Sequence, residues 1–154
     1  MDLILWRHAE AELLAEGGSD LARRLTAKGE RQAQRMAAWL NERLPADCLV
    51  LSSPAARTHA TALALGRDLH LLPALAPDAE PQSLLAAAGW PEPSHQTVLL
   101  VGHQPTLGRL AARLLAGQDQ AWAVKKGAVW WLRARERAGR QELTLVAVLG
   151  PDQL

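Results

Sequence analysis

Arg7 and His8 stand side by side directly after the apolar run "LILW" (residues 3–6), and two more anion-binding side chains follow similar runs. Arg57 comes shortly after "VLSSP", and His103 immediately after "TVLLVG". Taken singly, a histidine at a strand end is most often structural, and an arginine is most often a solvated surface charge. Gathered at one edge of a sheet, the two arginines and two histidines would repel one another unless an anion sat between them. No carboxylate immediately follows any of the three runs, so the economical partner is an external anion. Phosphate suits it best, because a guanidinium is a permanently charged planar fork that matches phosphate oxygens. Arg7 and Arg57 would hold the oxygens of a phosphoryl group in transfer, stabilising its charge without a metal. A neutral His8 imidazole would attack phosphorus, giving a phosphohistidine that water then cleaves. His103 would donate a hydrogen bond to the same group. Gly102 would let backbone and phosphate approach closely, or else make a plain strand-to-helix turn. Gln104, beside His103, is a further candidate substrate contact. Ser52 and Ser53 orient the strand end or, more simply, cap the helix that Pro54 begins.

For these residues to meet, the three apolar runs must be parallel neighbours in one sheet. Residues 3–6, 48–53 and 97–102 have the composition of buried strands. Residues 9–25 hold Gly17, Gly18, Ser19 and Asp20 and read as a loop. Thr26 can cap a helix in which Met36, Ala37, Leu40 and Leu44 share a face, and Pro45 ends it. A second helix starts at Pro54 and reaches about Gly66. "LHLL" (69–72) is a short strand, and residues 73–96 hold five of the nine prolines and one short helix, "SLLAAAG". Leu107, Leu110, Ala111, Leu114 and Leu115 form another helical stripe. "GAVWWLRA" and "ELTLVAVL" are two strands joined by an arginine-rich turn. The alternation predicts an α/β fold: a three-layer α/β/α sandwich around a mostly parallel mixed sheet with an antiparallel edge, in one domain over 1–154. Such sheets bind ligands where strands end and helices begin.

The 154 residues suffice for one hydrophobic core, and the balance of 49% apolar to 21% charged residues is that of a globular chain. A formal net charge of +1 offers no electrostatic case for nucleic acid or an anionic membrane surface. The basic run "RARERAGR" (133–140) lies between two apolar runs and reads as a solvated hairpin. The lone Cys48 excludes an internal disulfide and fits a small core residue in a reducing compartment. "MDLILWRH" is too short an apolar start for a signal peptide, and no run approaches a membrane span, so a cytoplasmic location is expected. His8, His59, His70, His95 and His103 show no close-spaced ligand pair, so no metal or other cofactor is expected. Nothing in the sequence sets an oligomeric state.

"WRHAEA" resembles the Arg-His-Gly signature of the histidine phosphatase (phosphoglycerate-mutase-like) superfamily. "SSPAART" resembles its Ser-Pro-x-x-Arg segment and "VGHQP" its second histidine motif, so the resemblance spans essentially the whole chain. "RRLTAKGERQAQRMAAWL" (23–40) is similar to the Arg-x-Leu-Thr-x-x-Gly segment of the small SixA-type phosphohistidine phosphatases. The resemblance implies a metal-independent phosphatase in the small form of the fold, without a cap. It implies His8 as phospho-acceptor, with Arg7, Arg57 and His103 completing the pocket and Arg23 as an additional phosphate contact. It also implies a phosphohistidine protein, such as a histidine phosphotransfer domain, as partner. Ala9 stands where the superfamily usually has glycine, and Ala60 replaces a common glutamine. Larger members draw a general acid from an inserted region; the matching stretch offers Asp78, Glu80 and Glu92, none in a distinguishing context, and Glu10 and Glu12 are not expected to serve. A phosphomonoester must expel an alkoxide, which needs that acid, whereas a phosphohistidine expels the better leaving group imidazole. Protein phosphohistidine is therefore the expected substrate. A phosphomonoesterase acting on a small metabolite ester, and a non-catalytic phosphate-binding or interaction domain, are the alternatives.

Overall fold

Short apolar runs alternate with amphipathic helices, and each needs a partner for its apolar face. In the computed structural model, which describes residues 1–90, 92 and 94–154, one sheet provides it. The elements are β1 (Asp2–Arg7), α1 (Ala27–Asn41), β2 (Leu49–Ser52), α2 (Ala56–Leu63), β3 (His70–Leu71), α3 (Pro81–Ala88), β4 (Thr97–Gly102), α4 (Thr106–Ala116), β5 (Val129–Arg137) and β6 (Arg140–Leu149). The strand order is β3-β2-β4-β1-β5-β6. The first four of these run parallel, while β5 and β6 add an antiparallel edge.

Side chains alternate across the sheet. Ile4, Trp6, Val50, Leu99 and Val101 pack with Met36 and Leu40 of α1 and Ala62 of α2. Leu3, Leu5, Leu51, Val98 and Leu100 pack on the opposite face with Leu84 and Leu85 of α3 and Leu107 and Leu110 of α4. The expected three-layer sandwich is therefore present, and every residue of the central β4 is buried. No helix among the described residues is long and apolar enough to cross a membrane. Cys48 is a buried core thiol, pushed up to about 11 by burial.

α1 and α2 end at Asn41 and Leu63, short of the expected Pro45 and Gly66, and two further boundaries differ from expectation. Pro54 lies outside α2, whose N-cap is Ala55 with no side-chain cap. Ser53 instead accepts the Ala55 N–H on its hydroxyl at 3.2 Å, folding the chain into a turn before the helix begins. The arginine-rich run belongs mostly to the strands, because Ala138 and Gly139 alone turn the chain, at φ of 49° and 73°. Two successive positive φ values suit a tight hairpin turn. Within it Arg133 is occupied by Asp2, at 2.6 Å.

α1 is tied to the loop after His8. Thr26 caps it, accepting the Gly29 N–H at 2.9 Å, and the Glu10 carbonyl accepts the Thr26 N–H at 3.0 Å. A Cβ on Gly29 would drive into that Glu10 carbonyl, so glycine is required for the helix to lie this close.

Candidate active site

Register brings the three strand ends level. Arg7 of β1 lies opposite Gly102 of β4, and the His8 N–H donates to the Gly102 carbonyl at 3.1 Å. On the other side of β4, Ser52 pairs with Val101, and the Ser53 N–H donates to the Val101 carbonyl at 3.1 Å. His8, His103 and Ser53 are thus the first residues beyond three adjacent parallel strands. The two imidazole rings sit 5.4 Å apart at 54° to each other. His8, Arg57 and His103 are all buried, at 5%, 4% and 4% exposure.

The His8 ring has a defined orientation. Its Nδ1 lies 2.7 Å from the Ala9 carbonyl, which can only accept, so Nδ1 carries the proton and Nε2 presents a lone pair. Its backbone is held by the Gly127 N–H, which donates to the His8 carbonyl at 3.0 Å. Arg7 reaches the Val124 carbonyl with one terminal nitrogen, at 2.8 Å. Arg57 spends both terminal nitrogens on Asp20, one on the main-chain carbonyl at 2.8 Å and one on the carboxylate at 3.1 Å. Arg23 donates to the other Asp20 oxygen at 3.1 Å and to the Glu12 carbonyl at 2.7 Å.

Three buried nitrogens in this cluster have no hydrogen-bond partner among the described residues: Nε of Arg7, Nε of Arg57 and Nδ1 of His103. An unpaired buried polar group costs ~1–3 kcal/mol, and more when charged. Three such groups, on arginines whose charges act on His8 and on the neighbouring His103 ring, are what a bound anion could satisfy. The carboxylate touching the cluster, Asp20, is already shared by two guanidiniums. No group of three or more metal-ligating side chains lies together among the described residues.

The same burial keeps both rings neutral. Desolvation, reinforced by Arg57, Arg7 and Arg23, holds His8 down at about 4, although its bond to Ala9 works the other way. Desolvation first, then Arg57 and His8, holds His103 at about 3. A neutral His8 is a competent nucleophile at pH 7. In the unfolded chain both rings take up protons near the ordinary value of 6.5, which the folded chain refuses until far lower pH. The unfolded state then binds more protons, so stability falls as pH drops from about 6.5 towards 4. Melting temperature across that window should fall less steeply in His103→Asn than in the natural protein. An equal slope would show that His103 is not held neutral by burial.

Not every residue singled out from the sequence faces this site. Gln104 is committed to the fold: its amide nitrogen donates to the Trp122 carbonyl at 2.8 Å, and its amide oxygen accepts the Gly108 N–H at 2.7 Å. Both ends of the amide are thus used to fasten α4. Gly102 ends β4, where a Cβ would come into ordinary contact with the Leu107 side chain of α4 at 3.4 Å. Arg23 reaches the cluster's edge through Asp20. Among the candidate acids, Glu80 pairs with Arg109 at 2.9 Å, and Glu10 is held by Thr26 and Lys28. Among the described residues, the side chains of Asp78, Glu92 and Glu12 make no hydrogen bond or ion pair with the cluster. Asp20 was not foreseen. Its spacing from Arg23 was visible in the sequence, but its bond to Arg57 spans 37 positions.

Residues 3–79 match the family model of the histidine phosphatase superfamily (branch 1). No curated protein matches the chain in sequence. A solved SixA structure from Agrobacterium tumefaciens is 26% identical, with a TM-score of 0.79 over 97% of each chain. The structure of the protein histidine phosphatase SixA complexed with tungstate is 26% identical, with a TM-score of 0.78 over 99% of each chain. The alpha-ribazole phosphatase from Shigella flexneri shares the fold at 22% identity, with a TM-score of 0.64 over 94% of this chain and 95% of its own.

Proposed function

This chain belongs to the histidine phosphatase superfamily, branch 1, and from that premise we propose that it removes phosphate from phosphohistidine on another protein, without a metal, through a phosphohistidine formed on His8. The Nε2 lone pair of His8 attacks phosphorus. A P–Nε2 bond forms as the bond from phosphorus to the substrate imidazole breaks, and the departing nitrogen takes its proton from solvent. Water then attacks phosphorus, the P–Nε2 bond breaks, and free phosphate leaves. The unpartnered Nε–H groups of Arg7 and Arg57 and Nδ1 of His103 stabilise the charge on the phosphoryl oxygens in both steps. That a related SixA binds tungstate, another oxyanion, accords with an anion site.

The observation that carries the choice of substrate is the state of Asp20. Its two oxygens each accept a hydrogen bond from a guanidinium, Arg23 and Arg57, which also hold the carboxyl below its usual range, so it is placed as an acceptor and not as a proton donor to a leaving group. An alkoxide leaving group would need that proton; an imidazole does not. A second observation favours a protein over a metabolite. Leu13, Leu14 and Leu21 are 87%, 55% and 51% exposed, and they lie on the loop that carries Asp20 and Arg23. Exposed leucines on the loop that supplies Asp20 to the site suit a macromolecular partner.

The direct test is to mix the protein with a phosphohistidine protein carrying labelled phosphate, quench in alkali and locate the label. An acid-labile phosphate on His8 is expected. Rapid hydrolysis of sugar phosphates with none of the phosphohistidine protein would sink the substrate assignment. Leu13→Ser combined with Leu14→Ser should raise KM for the phosphohistidine protein about tenfold, since burying one leucine is worth ~1.5–3 kcal/mol. The rate on phosphoramidate, which is too small to reach the loop, should not change.

A further inference from the structure

His103 is neutral in the buried site, so its single ring proton can sit on either nitrogen, and only one placement makes it a donor to phosphate. We propose that Ser53 is a positioning residue that holds His103 in the Nδ1–H tautomer, turning its free nitrogen towards the phosphoryl group as a donor rather than a lone pair.

The geometry decides the placement by elimination. Ser53 Oγ lies 2.8 Å from His103 Nε2. Ser53 is fully buried, at 0% exposure. Its oxygen already accepts the Ala55 N–H, at 3.2 Å. Among the described residues, His103 Nε2 is the remaining partner of that hydroxyl, so it is the one acceptor for the hydroxyl hydrogen. The serine therefore donates to Nε2, which must be unprotonated, and the ring proton sits on Nδ1. The reverse arrangement would aim two N–H groups at one oxygen and leave the hydroxyl hydrogen without an acceptor among the described residues. It would also turn a bare Nδ1 lone pair towards phosphoryl oxygens, where it repels.

Ser53 is well held for this task. Its N–H donates to the Val101 carbonyl at 3.1 Å. Its own carbonyl accepts the hydroxyls of Ser52 at 2.9 Å and Thr58 at 3.0 Å. Four hydrogen bonds besides the one to His103 thus fix its backbone and oxygen, which is the preorganisation an oxyanion site requires. The pairing also explains why two serines precede Pro54: the first secures the turn, and the second orients a ring 50 positions away. The catalytic consequence rests on the phosphatase reading above; the tautomer does not.

The test is nitrogen-15 NMR of the histidine rings in the full chain. In the natural protein, His103 should show a protonated Nδ1 and a pyridine-like Nε2. Ser53→Ala should shift it towards the Nε2–H form and lower kcat by about 10²-fold with little change in KM, the scale of losing one oxyanion donor. Ser53→Thr keeps the hydroxyl and should restore both the spectrum and most of kcat. A protonated Nε2 in the natural protein would falsify the proposal without recourse to any variant. A tautomer unchanged in Ser53→Ala, or kcat unchanged while the tautomer shifts, would also overturn it. If the natural protein shows the Nδ1–H tautomer but forms no phosphoenzyme, the functional proposal falls and the tautomer assignment stands.

Discussion

His8→Asn is expected to abolish the phosphoenzyme and to lower turnover of a phosphohistidine protein by ~10⁴-fold or more, the scale seen when a covalent nucleophile is removed. Asparagine can still pair with the Ala9 carbonyl and fits the volume, but its amide has no nucleophilic lone pair to place where Nε2 stands. The fold should tolerate the change, because the backbone bonds at this position, from His8 N–H to Gly102 and from Gly127 N–H to His8, do not involve the ring. Rapid-quench labelling would read the phosphoenzyme, and a melting curve would confirm folding. Retained turnover in a folded His8→Asn protein would refute covalent catalysis at this residue. Phosphate should still bind this variant, since the three unpartnered N–H donors lie on other side chains.

Arg57→Lys is expected to be nearly as damaging as Arg57→Ala, lowering kcat/KM by about 10²–10³-fold, because the three guanidinium nitrogens have separate tasks. The two terminal nitrogens bind Asp20, and the remaining Nε is the buried, unpartnered donor. A lysine ammonium on a flexible stem cannot hold the Asp20 loop and face the phosphoryl group at once. Losing the Asp20 bonds should also loosen Arg23, which shares that carboxylate. The two effects separate in measurement. Asp20→Asn removes the charge pairing while leaving Arg57 in place, so it should mainly raise KM, whereas Arg57→Lys should lower kcat as well. If lysine restores kcat to within a few-fold, Arg57 contributes only charge.

Much of the site was legible before the structure because strand ends in a parallel sheet are marked in the sequence. An apolar run that stops at Arg7 and His8, and another that stops at His103, locate the chemistry without any knowledge of packing. The helix from Thr26 was equally legible, since its cap and apolar stripe are local. The surroundings of Gly102 and Gln104 were not legible, for the converse reason. Adjacency to His103 suggests substrate contact, while the fold sets Gly102 beside Leu107 and ties the Gln104 amide to Trp122, 18 positions on. The alternatives for Ser53 lay in its immediate neighbourhood, cap or strand end, while its partner His103 is distant in sequence.

The sequence by itself determined which residues arrive at the sheet edge and which family they belong to, because strand periodicity and motif spacing are written along the chain. Only the tertiary structure decided what each side chain does there. Hydrogen-bond partners such as Asp20 for Arg57 and Ser53 for His103 are chosen by strand order and register, which pair positions far apart in the chain. Burial then fixes protonation: desolvation and neighbouring guanidiniums, present only in the folded molecule, keep the His8 ring neutral, and the guanidiniums hold the Asp20 carboxyl below its usual range.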